Sequence, residues 1–140
     1  MFDTLSVQIG AIFVVASCTF ALLKGDQPER IVGGAYILAW FASLLLQGGV
    51  SSIHWGLMAL DLGMLALLCV LAWRTKVVWP AWAAACQVLI VLSHTVSLLG
   101  FRPAMSSYIA AINLAGYGVL IALAVGTFWA WQERNAAEFK

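Results

Sequence analysis

Charge is scarce in this chain: seven Lys or Arg and six Asp or Glu make up 9% of its 140 residues, where soluble domains carry about a quarter. So few charges cannot clothe a water-exposed surface, which excludes a soluble globule. Proline is equally sparse. Pro28, Pro80 and Pro103 fall at turns or helix starts, so collagen-like and Pro-rich disordered chains are excluded as well. Cys18, Cys69 and Cys86 stand alone in apolar segments without paired spacing. They form no disulfide framework, zinc pattern or redox motif, and each is expected to pack as a small buried hydrophobe. A net charge of +1 offers no basic field for nucleic acid. There is no phosphate-binding loop, Gly-x-Ser-x-Gly elbow or His-Glu-x-x-His helix, so an enzyme acting on a soluble substrate is not expected.

What the chain does hold is apolar residues, 64% of the total, in runs about as long as a bilayer is thick. A helix rises about 1.5 Å per residue and the hydrocarbon layer is about 30 Å deep, so some 20 uncharged residues make one crossing. Residues 4–23 are such a run, between Asp3 and Lys24. Within it Val15-Ala16-Ser17-Cys18 has the look of a lipidation box. The first basic residue, however, is Lys24, on the wrong side of the apolar stretch for a signal peptide. Lys24-Gly25-Asp26-Gln27-Pro28-Glu29-Arg30 reads as a tight hairpin. Gly25 ends a helix in the left-handed region, Asp26 with Glu29 forms a capping box, and Pro28 sits in the next first turn. From Ile31 to Trp73 the only formal charge is Asp61, and one helix of that length would cross the membrane twice. The break is placed at Gln47-Gly48-Gly49-Val50-Ser51-Ser52, where paired Gly and paired Ser weaken a helix. Arg74-Thr75-Lys76 and Gly100-Phe101-Arg102-Pro103 mark the remaining turns. The expected architecture is a single all-α membrane domain over residues 1–140, a bundle of five transmembrane helices at about 5–23, 31–47, 54–73, 79–99 and 106–131. The tail 132–140 is expected to lie at the interface.

Basic residues then divide six to one between the two sides, with Lys24, Arg30, Arg74, Lys76, Arg134 and Lys140 opposite Arg102. The positive-inside rule places the six in the cytoplasm, so the N-terminus is expected outside and the C-terminus inside, in a plasma or inner membrane. Trp73, Trp79, Trp82, Trp129 and Trp131 fall beside those basic residues as an interfacial belt, with Trp55 on the outer side. Trp40, mid-span, is expected to face lipid or another chain, or else to line a ligand groove. The acids Asp26, Glu29, Glu133 and Glu138 are read as solvated helix-end charges.

Ionisable groups within the spans are where lipid exacts a penalty, about 2.5–3.5 kcal/mol for an Asp at a helix centre. Asp61 is the only such acid, and His54 lies seven residues before it on the same face. His94 and Gln87 share a face by the same spacing, and Asn113 aligns with Tyr117 four residues on. Counted from the outer ends, Asp61, His94 and Asn113 come to similar depths, which predicts one polar cluster. Its members either satisfy one another to fix helix register, or form a proton or ion relay with Asp61 as carboxylate and His94 as switch. A haem held by His54 and His94 is the one cofactor the two imidazoles suggest, and their unequal depths oppose it. No metal site is expected, since His54 and Asp61 stand about 10 Å apart along one helix.

Small residues let helices approach in lipid. Gly118, Ala122 and Gly126 form one such ladder, and Gly56, Ala59 and Gly63 another, each able to serve the bundle or to dock another chain. With short loops and no catalytic motif, the leading expectation is a structural or accessory subunit of a homo-oligomer or larger membrane complex, whose partners are lipids, other membrane chains or copies of itself. The alternatives are a small transporter or proton- or ion-coupled channel subunit using Asp61 and His94, and then a haem-binding or other membrane enzyme subunit.

Overall fold

A computed structural model describes residues 2–47, 53–100 and 105–139. In hydrocarbon every backbone N–H and C=O must find an internal partner, and an uninterrupted helix achieves that within one segment. The described residues form five helices: α1 (Phe2–Lys24), α2 (Gln27–Gln47), α3 (Ile53–Arg74), α4 (Trp79–Leu98) and α5 (Met105–Glu138). Each is long and apolar enough to cross a membrane. Consecutive helices pack as neighbours, α1 returns to pack on α5, and α2 also touches α5. The result is a closed ring of alternately directed helices. The breaks proposed at residues 48–52 and the turn residues 101–104 lie outside the described residues, although α2 and α3 end and begin on either side of the first.

The α1–α2 hairpin carries the expected capping box, with the Asp26 backbone N–H donating to Glu29 Oε2 at 3.0 Å. Gly25 is needed there for a different reason from the one expected. It does not take a positive φ; among the described residues Gly100, closing α4, is the glycine that does, at 82°. A side chain at Gly25 would instead meet the Ala21 carbonyl and stand 2.5 Å from Glu29 Cβ. The turn is tight because its two walls touch.

Tight packing is concentrated at the end of the ring that holds Lys24, Arg74 and Arg134. Cys18, Ala21, Val32, Leu68, Ala83 and Leu123 are fully buried there, each in the half of its helix nearest that end, and Val119 is fully buried near the middle of α5. Two expectations are corrected at the same place. Glu29 is not a solvated charge: it is 1% exposed, and Oε1 accepts a 2.7 Å hydrogen bond from Trp79 Nε1. Trp79 is accordingly not part of the interfacial belt but 3% exposed in the core. A buried carboxylate is tolerated only when its oxygens are bonded, and Asp26 N–H and the indole N–H supply one bond to each. Trp73, Trp82 and Trp129 do lie on the outside, while Trp131 sits beneath Lys24, whose Nζ is 5.9 Å from its ring.

The tail is the third correction. Residues 132–138 continue α5 rather than lying at the interface, which makes the helix about 50 Å long at 1.5 Å per residue. No Gly or Pro interrupts this stretch, and Arg134 ties it to the hairpin through a 3.0 Å ion pair with Asp26 and a hydrogen bond to the Lys24 carbonyl. Of the cysteines, Cys18 is buried as expected whereas Cys69 is exposed on the outer surface of the ring.

The ladder on α5 is an internal seam. A Cβ on Gly118 would stand 2.6 Å from Cys86 Sγ, and one on Gly126 would stand 2.6 Å from Trp79 Nε1, so both glycines receive α4 side chains. Ala122 packs partly buried beside the same core. On α3 only Gly56 has such a neighbour, Leu46, and Gly63 faces open space.

Candidate polar site in the bundle cavity

Toward the other end, where α1 begins and α4 ends, the packed interior of the ring gives way to open space. A half-enclosed cavity of about 580 Å³ is lined from all five helices, by Val7 and Gly10 of α1, Tyr36 and Trp40 of α2, Asp61 and Met64 of α3, Gln87 and His94 of α4, and Tyr108, Asn113, Gly116 and Tyr117 of α5, among others. Trp40 thus lines the cavity, the last of the three placements expected for it. The size lies within the range of small-molecule sites.

Asp61 is the centre of the polar wall. Its Oδ2 is 3.0 Å from His94 Nε2, and its Oδ1 accepts from Gln87 Nε2 at 2.9 Å. His94 and Gln87 are seven residues apart on α4, about 10 Å along its axis, and reach the carboxylate from either side. The second ring nitrogen of His94, Nδ1, lies 2.9 Å from the Tyr108 hydroxyl of α5. A continuous chain Tyr108–His94–Asp61–Gln87 therefore joins three helices. The Asp61 side chain is 26% exposed and that of His94 13%, so the pair is sheltered and still reachable from the cavity.

Since a carboxylate only accepts, the bond to Asp61 fixes Gln87 with its amide nitrogen toward α3 and its Oε1 away. That oxygen has no hydrogen-bond partner among the described residues, although Gln87 is 1% exposed. Two proton arrangements satisfy the whole chain with Asp61 as acceptor: a neutral ring, with Tyr108 donating to Nδ1 and Nε2–H donating to Asp61, and an imidazolium, with Nδ1–H donating to the Tyr108 oxygen.

The residues expected to cluster thus separate into three groups. Asp61, His94 and Gln87 bond directly. Asn113 and Tyr117 line the same cavity without joining the chain; Tyr117 packs edge-on against Phe13 with ring centroids 5.6 Å apart. His54 lies in the first turn of α3, and its side chain is outside the described residues. Tyr108 was not anticipated. Both ring nitrogens of His94 are engaged, so haem ligation there would require one of these bonds to be given up. Among the described residues no three His, Cys, Asp or Glu side chains converge as a metal site would need.

Compared with models of protein families, with curated proteins and with solved structures, the chain matches none.

Proposed function

We propose that the chain is a small transporter or proton-coupled channel subunit in which Asp61 and His94 carry the proton, set in a plasma or inner membrane with its N-terminus outside. The observation that carries this reading is the 3.0 Å Asp61–His94 pair on the wall of a cavity reached by all five helices. A group that serves only to hold helices together has no need of a cavity at its side, whereas a relay needs access to a proton donor. Histidine is also the side chain that exchanges protons near neutral pH.

The chemistry balances in two states. In the first, His94 is neutral and Asp61 charged. In the second, a proton from the outer solution enters at His94 Nδ1, the Tyr108 hydroxyl turns from donor to acceptor, and the imidazolium neutralises Asp61. Onward passage crosses the packed layer around Trp79, where Glu29 is the next buried carboxylate. The accessory-subunit reading keeps less support, because the Gly118–Gly126 ladder that offered a docking face is taken up by α4.

Two measurements test the reading. Orientation is read from C-terminal reporter fusions, which are expected to be active only in the cytoplasm; activity solely in the exported compartment would invert the cavity. Function is read from liposomes holding the purified chain under an imposed pH gradient. Their gradient is expected to collapse faster than that of empty liposomes, and equal rates would return the chain to a structural role.

A further inference from the structure

We propose that the cavity binds a protonated organic amine with an apolar body, its ammonium paired with the Asp61 carboxylate and donating a hydrogen bond to Gln87 Oε1. Gln87 lines the cavity, is 1% exposed, and leaves Oε1 unpartnered among the described residues. A buried acceptor without a donor costs about 1–3 kcal/mol, so an N–H or O–H brought to this atom is favoured. Asp61, bonded to the same side chain at 2.9 Å, decides between the two. With neutral His94 the polar wall carries one negative charge in an apolar surround, and a cation that also donates a hydrogen bond satisfies both groups at once.

The rest of the wall suits the remainder of such a molecule. Tyr36, Trp40 and Tyr117 present aromatic surface, and Met64 and Gly10 leave apolar room. Aromatic faces attract cations as well as apolar bodies. This inference rests on the proposed function through Asp61, since the ammonium needs the charged carboxylate that a proton would neutralise. Proton and ammonium are therefore alternative occupants of one site, and each displaces the other.

The test uses the full chain in lipid nanodiscs, with empty nanodiscs to correct for partition. The probes are 2-(1-naphthyl)ethylamine, its N,N,N-trimethyl derivative and 2-(1-naphthyl)ethanol, followed by titration calorimetry. The amine is expected to bind about 10- to 100-fold more tightly than the alcohol, the worth of a hydrogen bond to a charged group. The trimethyl derivative, charged but without an N–H for Gln87, is expected to bind more weakly than the amine. Asp61→Asn should remove the preference for the amine over the alcohol. Gly116→Leu puts bulk into the cavity at a position where a Cβ meets only the Tyr36 hydroxyl, at 3.7 Å, and it should abolish binding of all three in a folded protein. Equal affinity for amine and alcohol, or binding that survives Gly116→Leu, would overturn the ammonium site. Proton flux measured in liposomes holding the same purified protein separates the two claims: amine binding without flux removes the relay and leaves the site, and flux without amine binding removes the site alone.

Discussion

Gly126→Leu is expected to lower stability by about 2–6 kcal/mol, read as an early thermal or denaturant transition in detergent, while Gly63→Leu leaves the transition nearly unmoved. The two glycines belong to similar small-residue ladders and differ in what they face. A side chain at Gly126 enters the Trp79 indole, 2.6 Å from Nε1, whereas one at Gly63 has nothing within 4 Å. Trp79 cannot step aside at little cost, because it is 3% exposed and its N–H is bonded to Glu29. Overpacking a core costs about 1–3 kcal/mol, and breaking a buried carboxylate's bond leaves a charge or polar atom stranded, for about 1–3 kcal/mol more and upward. A result in the opposite order, with Gly63→Leu the damaging change in native lipid, would mean that the α3 ladder docks another chain and that the α5 seam is slack.

The contrast between these glycines shows how far the sequence carries. Helix number and most helix ends are legible because they follow from one-dimensional quantities: uncharged runs set against bilayer thickness, Gly and Pro at the breaks, and a capping box four residues long. Which ladder faces inward is not legible, since small-residue spacing is the same on either face. Glu29 shows the same limit. Its position beside Asp26 explains it fully as a cap, and nothing local announces that Trp79, fifty residues on, also reaches it. The extension of α5 to Glu138 was open to inference, because residues 132–138 contain no helix breaker.

In the polar site, spacing of seven found His94 and Gln87 on one face of α4, and depth matched His94 to Asp61. The same depth count chose Asn113 on α5 where the structure uses Tyr108. Counting from helix ends ignores how an antiparallel hairpin pairs its residues. Reflection about the midpoint of the Gly100–Pro103 segment that the sequence marks as a turn sets His94 opposite about residue 109, next to Tyr108, and a tyrosine is long enough to cross. The cavity itself left only a faint trace in the sequence. It arises where Gly10 and Gly116 stand among Tyr36, Trp40 and Tyr117, a mixture of large and absent side chains whose sum depends on the packing of five helices.

The relay is tested most directly by Asp61→Asn in liposomes under a pH gradient. Asn keeps the size of Asp and can still bond Gln87 and His94, so the bundle should fold with equal or greater stability once a charge costing about 2.5–3.5 kcal/mol in lipid is removed. It cannot gain and lose a proton. The account predicts that wild-type protein collapses the gradient, that Asp61→Asn reduces the rate to that of empty liposomes with its thermal transition intact, and that His94→Gln slows it. Flux in Asp61→Asn equal to wild type would contradict the assignment of Asp61 as the proton carrier, and with it the proposed function.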